Sequence, residues 1–201
     1  MAVLDFPNIS PDNEDWELEY NTQTFTSKLN GIVQTAEFPG ARWAVSMTFP
    51  NRQGRSAREL QAFLTSLRGR AGRFFYTPSD WQPLGNPSGT GAVATATASG
   101  ATSVPTDGWD VSITELFVTG DYFEVNGELK KITASVDSDG TGLATLDFMP
   151  PLRKDVTGGM QIRYVEPRCQ MMLSDDRQAG WAITSGMLYA TPISAKEALD
   201  L

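Results

Sequence analysis

The chain has 201 residues, 40% hydrophobic and 20% charged, a composition that supports a buried core and argues against disorder. Its 24 acids against 16 bases give a formal net charge of -8, which argues against nucleic acid as the main partner, because phosphate binding needs a basic surplus on some face. Histidine is absent and Cys169 is the single cysteine, so Ser-His-Asp and Cys-His nucleophiles, imidazole zinc sites and intrachain disulfides are excluded.

The first ten residues, "MAVLDFPNIS", have no basic region followed by an apolar stretch, and no run approaches the ~18 apolar residues of a membrane span. A soluble, uncleaved protein that folds in a reducing compartment is the expectation. "WELEY" from Trp16 alternates, with Trp16, Leu18 and Tyr20 on one side. "RWAVSMTF" alternates more strongly: Trp43, Val45, Met47 and Phe49 share one face of a half-buried strand. Ser56 and Glu59 then form a capping box that predicts a helix over 56–69. Leu60, Phe63, Leu64 and Leu67 supply its apolar stripe, and Gly69 a left-handed stop. At about 100° per residue, Arg58 projects away from Leu60 toward solvent or a partner. "RFFYT" from Arg73 is the strand that leaves this helix.

From Asn86 to Thr106 nearly every residue is small or turn-forming, compatible with either a linker or an extended edge segment. "YFEVNGELKKI" follows, with Asn126-Gly127 placed for a two-residue hairpin turn. "DSDGTG" from Asp137 turns the chain into the strand "LATLDF", which Pro150 ends, and "MQIRYV" from Met160 alternates weakly. In the C-terminal piece "RCQMML" and "WAITSGMLYA" are strand candidates, and Ser194 with Glu197 forms a second capping box that predicts a short tail helix. The expected fold is therefore all-β with one packed helix. Residues 1–85 and 166–201 form one discontinuous β-sandwich domain, and 86–165 form an inserted small β-barrel-like module with ten acidic and five basic side chains.

Between residues 51 and 75 stand six arginines and one acid, Glu59. Arg68, Arg70 and Arg73 crowd the helix C-terminus, where the backbone dipole favours cations by about 0.3 to 1 kcal/mol each. The same group, with Arg58, could instead dock an acidic surface of another subunit, or bind nucleic acid. Asp137, Asp139 and Gly140 lack the remaining ligands of a calcium loop and are expected to form a plain turn. Asp121 with Glu124, and Asp175 with Asp176, are carboxylate pairs of the type a glycosidase uses, with solvated surface the simpler role. Cys169, with no base to activate it, is expected in the core, and "GRAG" and "GTGAV" are expected as turns. No cofactor or metal is expected.

The runs "LNGIVQTAEFPGARWAVSMTF", "ARELQAFLTSLRGRAGRFFYTPSDW" and "GDYFEVNGELKKITASVDSDGTGLATLDFMPPLR" together resemble the distal tail family of long-tailed bacteriophage tail-tip proteins. The resemblance covers about residues 16–190 and rests on a pattern of elements without a catalytic motif. It implies a structural, non-enzymatic protein of the virion tail tip, assembled from host cytoplasm as a hexameric ring between the tail tube protein and the hub or receptor-binding apparatus. No membrane insertion is implied. A ring needs complementary patches head to tail, which the basic helix end and the acidic insert or "DNEDWELE" could supply. The alternative is a carbohydrate-binding module that meets the host surface through Trp109, Tyr122 and Phe123; a carboxylate-dependent hydrolase is a third class.

Overall fold

The computed structural model describes residues 3–52, 54–178, 180–184 and 188–198. In chain order the elements are β1 (Leu4–Asp5), β2 (Asn13–Thr26), β3 (Val33–Arg52), α1 (Gly54–Leu67), a 3-10 turn (Gly69–Ala71), β4 (Phe74–Tyr76), β5 (Gly89–Val93) and β6 (Ser103–Trp109). There follow β7 (Tyr122–Val125), β8 (Glu128–Ile132), β9 (Ala144–Met149), β10 (Ile162–Arg163), β11 (Cys169–Leu173), β12 (Ala182–Thr184) and β13 (Leu188–Glu197). The protein is mainly β with one packed helix. A seven-stranded sheet runs β1-β4-β11-β13-β3-β2, with β12 added on β13, and a six-stranded sheet runs β10-β7-β8-β9-β6-β5. An Ala92–Gln161 bridge and the Val93 amide donating to Met160 O at 2.8 Å bring the two ends of the second sheet together into a nearly closed barrel.

Period-two alternation builds the first core. Trp43, Val45, Met47 and Phe49 of β3 are buried, as are Cys169, Met171 and Leu173 of β11 and Ile193 and Ala195 of β13. Leu60, Leu64 and Leu67 of α1 pack on that face. Phe6 locks the helix down from the N-terminal segment, edge-on to Phe63 at 5.1 Å and to Tyr76 at 4.9 Å. The helix begins at Gly54, so Ser56 lies inside its first turn and does not open the helix as its capping residue. Burying three leucines contributes about 1.5–3 kcal/mol each, against about 1 kcal/mol for a cap, so packing sets the helix position. Gly69 does adopt the left-handed conformation, as expected of the stop, and Arg68 before it does so as well.

Within the 86–106 stretch two parts are extended, β5 and the start of β6, with bends and a turn between them; "GTGAV" is strand β5 and not a turn. Only glycine fits at position 91, because a Cβ there would collide with the Trp109 ring. Asn126 and Gly127 both take positive φ in the β7–β8 turn, as a two-residue hairpin needs. Trp109, Phe117, Phe123, Val125, Leu146 and Phe148 fill the barrel. The predicted tail helix is absent: Ser194 and Glu197 belong to β13, where pairing with β3 and β11 outcompetes a local cap. Cys169 lies fully in the core, and burial pushes its thiol well above the usual range.

A polar seam joins the sheets. Tyr122 and Leu129, on the barrel's outer face, belong to the first core, and the Trp43 indole donates to Leu129 O at 3.0 Å. Glu197 accepts from the Trp43 amide at 3.0 Å and from both terminal nitrogens of Arg153, one of them at 2.6 Å, and Arg153 also reaches Ala41 O. Behind it, Glu128 accepts from the Arg153 and Lys154 amides, each at 3.1 Å, and from the Lys130 ammonium at 2.7 Å. Lys130 is 0% exposed, and burial lowers its pKa despite Glu128. Glu124, also buried, holds the Arg168 guanidinium, which stacks 4.2 Å from the Phe75 ring centroid.

Glu128→Ala would leave the Lys130 ammonium buried without its counter-ion and should cost about 3–5 kcal/mol in urea unfolding. Lys130→Met leaves Glu128 its two amide donors and should cost clearly less. Equal losses would remove the stranded charge as the cause. Gly91→Ala should destabilise by about 1–3 kcal/mol through overpacking against Trp109, read from the same titration.

Candidate assembly interface

The β2–β3 hairpin extends well past the sheet. Partner β13 meets β3 only from Ala44 onward, and β2 lies at the sheet edge, so among the described residues 21–26 and 33–38 form a two-stranded ribbon with no third strand. Six residues per strand at about 3.3 Å each carry it about 20 Å outward. A register shift between Glu19 and Asn21 marks where it departs. Tyr20, at this irregularity, is exposed, whereas Trp16 and Leu18 pack against the first core.

Register assigns the ribbon's faces. Asn21 with Phe38, Gln23 with Ala36 and Phe25 with Gln34 share one face; Thr22 with Glu37, Thr24 with Thr35 and Thr26 with Val33 share the other. Phe25, Phe38, Ile32 and Val33 are all exposed, and Leu29 at the tip is 99% exposed. Over 20–40 only Lys28 and Glu37 are charged. The tip is nonetheless ordered by its own hydrogen bonds: the Ser27 amide donates to Ile32 O at 2.9 Å, and the Ile32 amide to Asn30 Oδ1 at 3.2 Å. A lone two-stranded hairpin is marginal in water, and one with few charges, exposed apolar side chains and free edges invites a partner.

The arm's base is pinned. Glu19 accepts from Lys196 of β13 at 2.7 Å and from Arg42 of β3 at 3.2 Å. The Lys196 bond, first, and the Arg42 contact hold the Glu19 carboxyl below its usual range.

The four arginines separate. Arg58 is exposed on the outer face of α1 beside Arg55, as its helical position requires. Arg68 is the left-handed residue that opens the 3-10 turn. The Arg70 amide donates to Asp176 Oδ1 at 2.9 Å, with its guanidinium 3.6 Å from the same oxygen, and Arg73 donates to Arg70 O and Gly72 O. Arg70 and Arg73 thus serve the end of the helical segment, while Arg58 faces outward. Asp15 and Glu17 are exposed on edge strand β2, giving an acidic outer face on the opposite side of the sheet order from β1.

The expected glycan contacts are corrected by burial. Trp109 and Phe123 lie inside the barrel, Trp109 with its indole on Thr106 Oγ1 at 2.7 Å, and Tyr122 is 4% exposed at the seam. Trp109 and Phe123 are part of the core that fills the barrel. Nor are Asp121 and Glu124 a solvated pair: Asp121 accepts from the Leu84, Gly85 and Val118 amides, and Glu124 from Arg168. Asp175 and Asp176 accept from separate loop amides. Asp139 closes a plain turn, accepting from Thr141 and Leu143, and these bonds hold its carboxyl below the usual range. Among the described residues no cluster of three or more acids or cysteines could hold a metal, and no helix is long and apolar enough to cross a membrane.

No family model matches the chain, and no curated protein matches it.

Because Glu19's pKa is depressed in the fold, its contribution is present above the usual carboxylate range and is lost as pH falls through the lowered value. Amide protection over residues 20–26, taken relative to the intrinsic exchange rate at each pH, should therefore fall at acid pH in the wild type. Glu19→Gln should show the lowered protection already at neutral pH; a variant that matches the wild type at both pH values would remove Glu19 as the pin.

Proposed function

We propose that this chain is a structural subunit of a bacteriophage tail tip, closing head to tail into a hexameric ring that joins the tail tube to the hub or receptor-binding apparatus. The observation that carries the reading is the arm, an ordered, nearly uncharged hairpin whose apolar side chains and strand edges lie open on both faces. Such a surface is stable in water when another chain covers it. A heterologous interface, in which the arm of one copy lies on the body of the next, generates a ring when its rotation closes. The exposed Arg55 and Arg58 on α1 and the exposed Asp15 and Glu17 on β2 offer a charge pairing between successive copies. The resemblance of the sequence to distal tail proteins supports putting that ring in a virion. Enzymatic work is no part of the proposal: the candidate carboxylates are engaged as structural acceptors.

The test is native mass by analytical ultracentrifugation, alone and with tail tube and hub proteins, for the full chain and for a variant with residues 22–37 replaced by a two-residue Asn-Gly turn. The full chain should form a hexamer in at least one mixture and the shortened one should stay monomeric with an unchanged thermal midpoint. A monomer in every mixture, or a ring built by the shortened variant, refutes the reading. Arg58→Glu should weaken assembly, seen as a higher dissociation concentration in light scattering.

A further inference from the structure

A cleft of about 590 Å³ opens on the β1 side of the first sheet. It is bounded by residues 5–11, by residues 75–79 with Trp81, and by Arg163, Glu166 and Arg168 from the barrel side. Phe6, Pro7, Ile9, Phe75 and Trp81 are its apolar lining, each half-buried and so each still presenting surface. The 77–80 loop beside them is held by Glu14, which accepts from Tyr76 Oη at 3.1 Å and from the Ser79 amide and hydroxyl.

The cleft's arginines are already engaged. Arg168 donates to both oxygens of Glu124 at 3.2 Å and stacks on Phe75. Arg163 donates to the Val165 and Glu166 carbonyls, each at 3.0 Å, and lies 3.9 Å from the Glu166 carboxylate. Asp5 differs: it is exposed, and its carboxylate accepts from no group among the described residues. The arm's tip has the complementary character. Leu29 is 99% exposed and Ile32 is exposed beside it, while Lys28 is the single charge between residues 20 and 36.

Arm and cleft stand at opposite edges of one sheet. Strand β2 ends the order on one side and β1 on the other, about 24 Å apart at a strand spacing of about 4.8 Å. No arm residue lines the cleft of its own chain. A head-to-tail contact requires such a disposition, with donor and receiver on different sides of each copy. Strand β1 has two residues and is followed by Pro7, which is too short to add a strand, so the receiving surface acts through side chains.

We propose, resting on the ring reading above, that this cleft receives the arm tip of the neighbouring copy, with Leu29 as the apolar anchor and Lys28 against Asp5. Burial of Leu29 supplies affinity, and the charge pair, close to solvent, sets register more than strength. Phe6, which lines the cleft, packs edge-on to Phe63 of α1 at 5.1 Å, so the cleft neighbours the helix that carries Arg55 and Arg58.

The test is crosslinking of the full chain, with tail tube and hub proteins present, by a short bismaleimide, with native mass measured on the same samples. Leu29→Cys places a thiol at the tip and Asn8→Cys one on the exposed lining of the cleft, while buried Cys169 stays out of the reaction. The double variant should give a ladder up to the hexamer on a denaturing gel, and each single variant none. A hexamer without the ladder overturns the docking and leaves the ring standing. Dimers from Leu29→Cys alone mean that tips meet tips and overturn the docking in the same way, whereas a monomer in every mixture overturns both. Leu29→Ser should raise the dissociation concentration about ten-fold or more at an unchanged thermal midpoint, since that side chain is open to solvent in the single chain. Asp5→Lys and Lys28→Asp should each raise it about three-fold, and the two together should restore it. Unchanged assembly in Leu29→Ser, or no recovery in the double swap, overturns the docking.

Discussion

The contact on which the molecule's arrangement turns is that between Arg153 and Glu197. It ties the last strand of one sheet to the loop after β9 of the other, and its partners are held in turn: Glu197 by the Trp43 amide, Arg153 by Ala41 O. Replacing such a buried pair by apolar groups is often neutral for stability, whereas breaking it strands a charge. Its value therefore lies in geometry. Charges that must meet at a few ångströms permit one relative placement of the sheets, where an apolar patch alone would permit several.

That fixed placement creates the other features. Because the barrel is held against β3, Tyr122 and Leu129 are absorbed into the first core, and Arg163 and Arg168 border the cleft beside β1. Because β13 ends its pairing at Ala44 and turns its Glu197 to Arg153, no described strand pairs with the outer half of the β2–β3 hairpin. Seam, cleft and arm are thus three results of one docking geometry. The seam is dense in ion pairs and the arm nearly lacks charge, which suits one to a permanent contact within the chain and the other to a contact between chains.

Much of this was legible in the sequence. The alternation of Trp43, Val45, Met47 and Phe49, the Leu60-Leu64-Leu67 stripe and the Asn126-Gly127 turn are local signals, and each appears as read. Two capping boxes misled, at Ser56 and at Ser194, because a cap is worth about 1 kcal/mol and packing or strand pairing outweighs it. Trp109 and Phe123 looked like surface aromatics in a small acidic module, yet both are part of the core that fills the barrel. The arm left a readable trace that went unused: 21 residues, from Tyr20 to Gly40, with Lys28 and Glu37 as the only charges.

Residue order alone determined the β class, the single amphipathic helix, the hairpin turn and the absence of histidine- or disulfide-based chemistry, since these depend on periodicities and residue types within a few positions of each other. Only the tertiary structure decided that Glu197 would meet Arg153 across 44 residues and the Trp43 amide across 154. It likewise decided which side chains line the cleft and how far the arm stands free. Those outcomes depend on where each strand stops pairing and on which side chain ends up opposite it, and such long-range partners leave no mark in the spacing of neighbours.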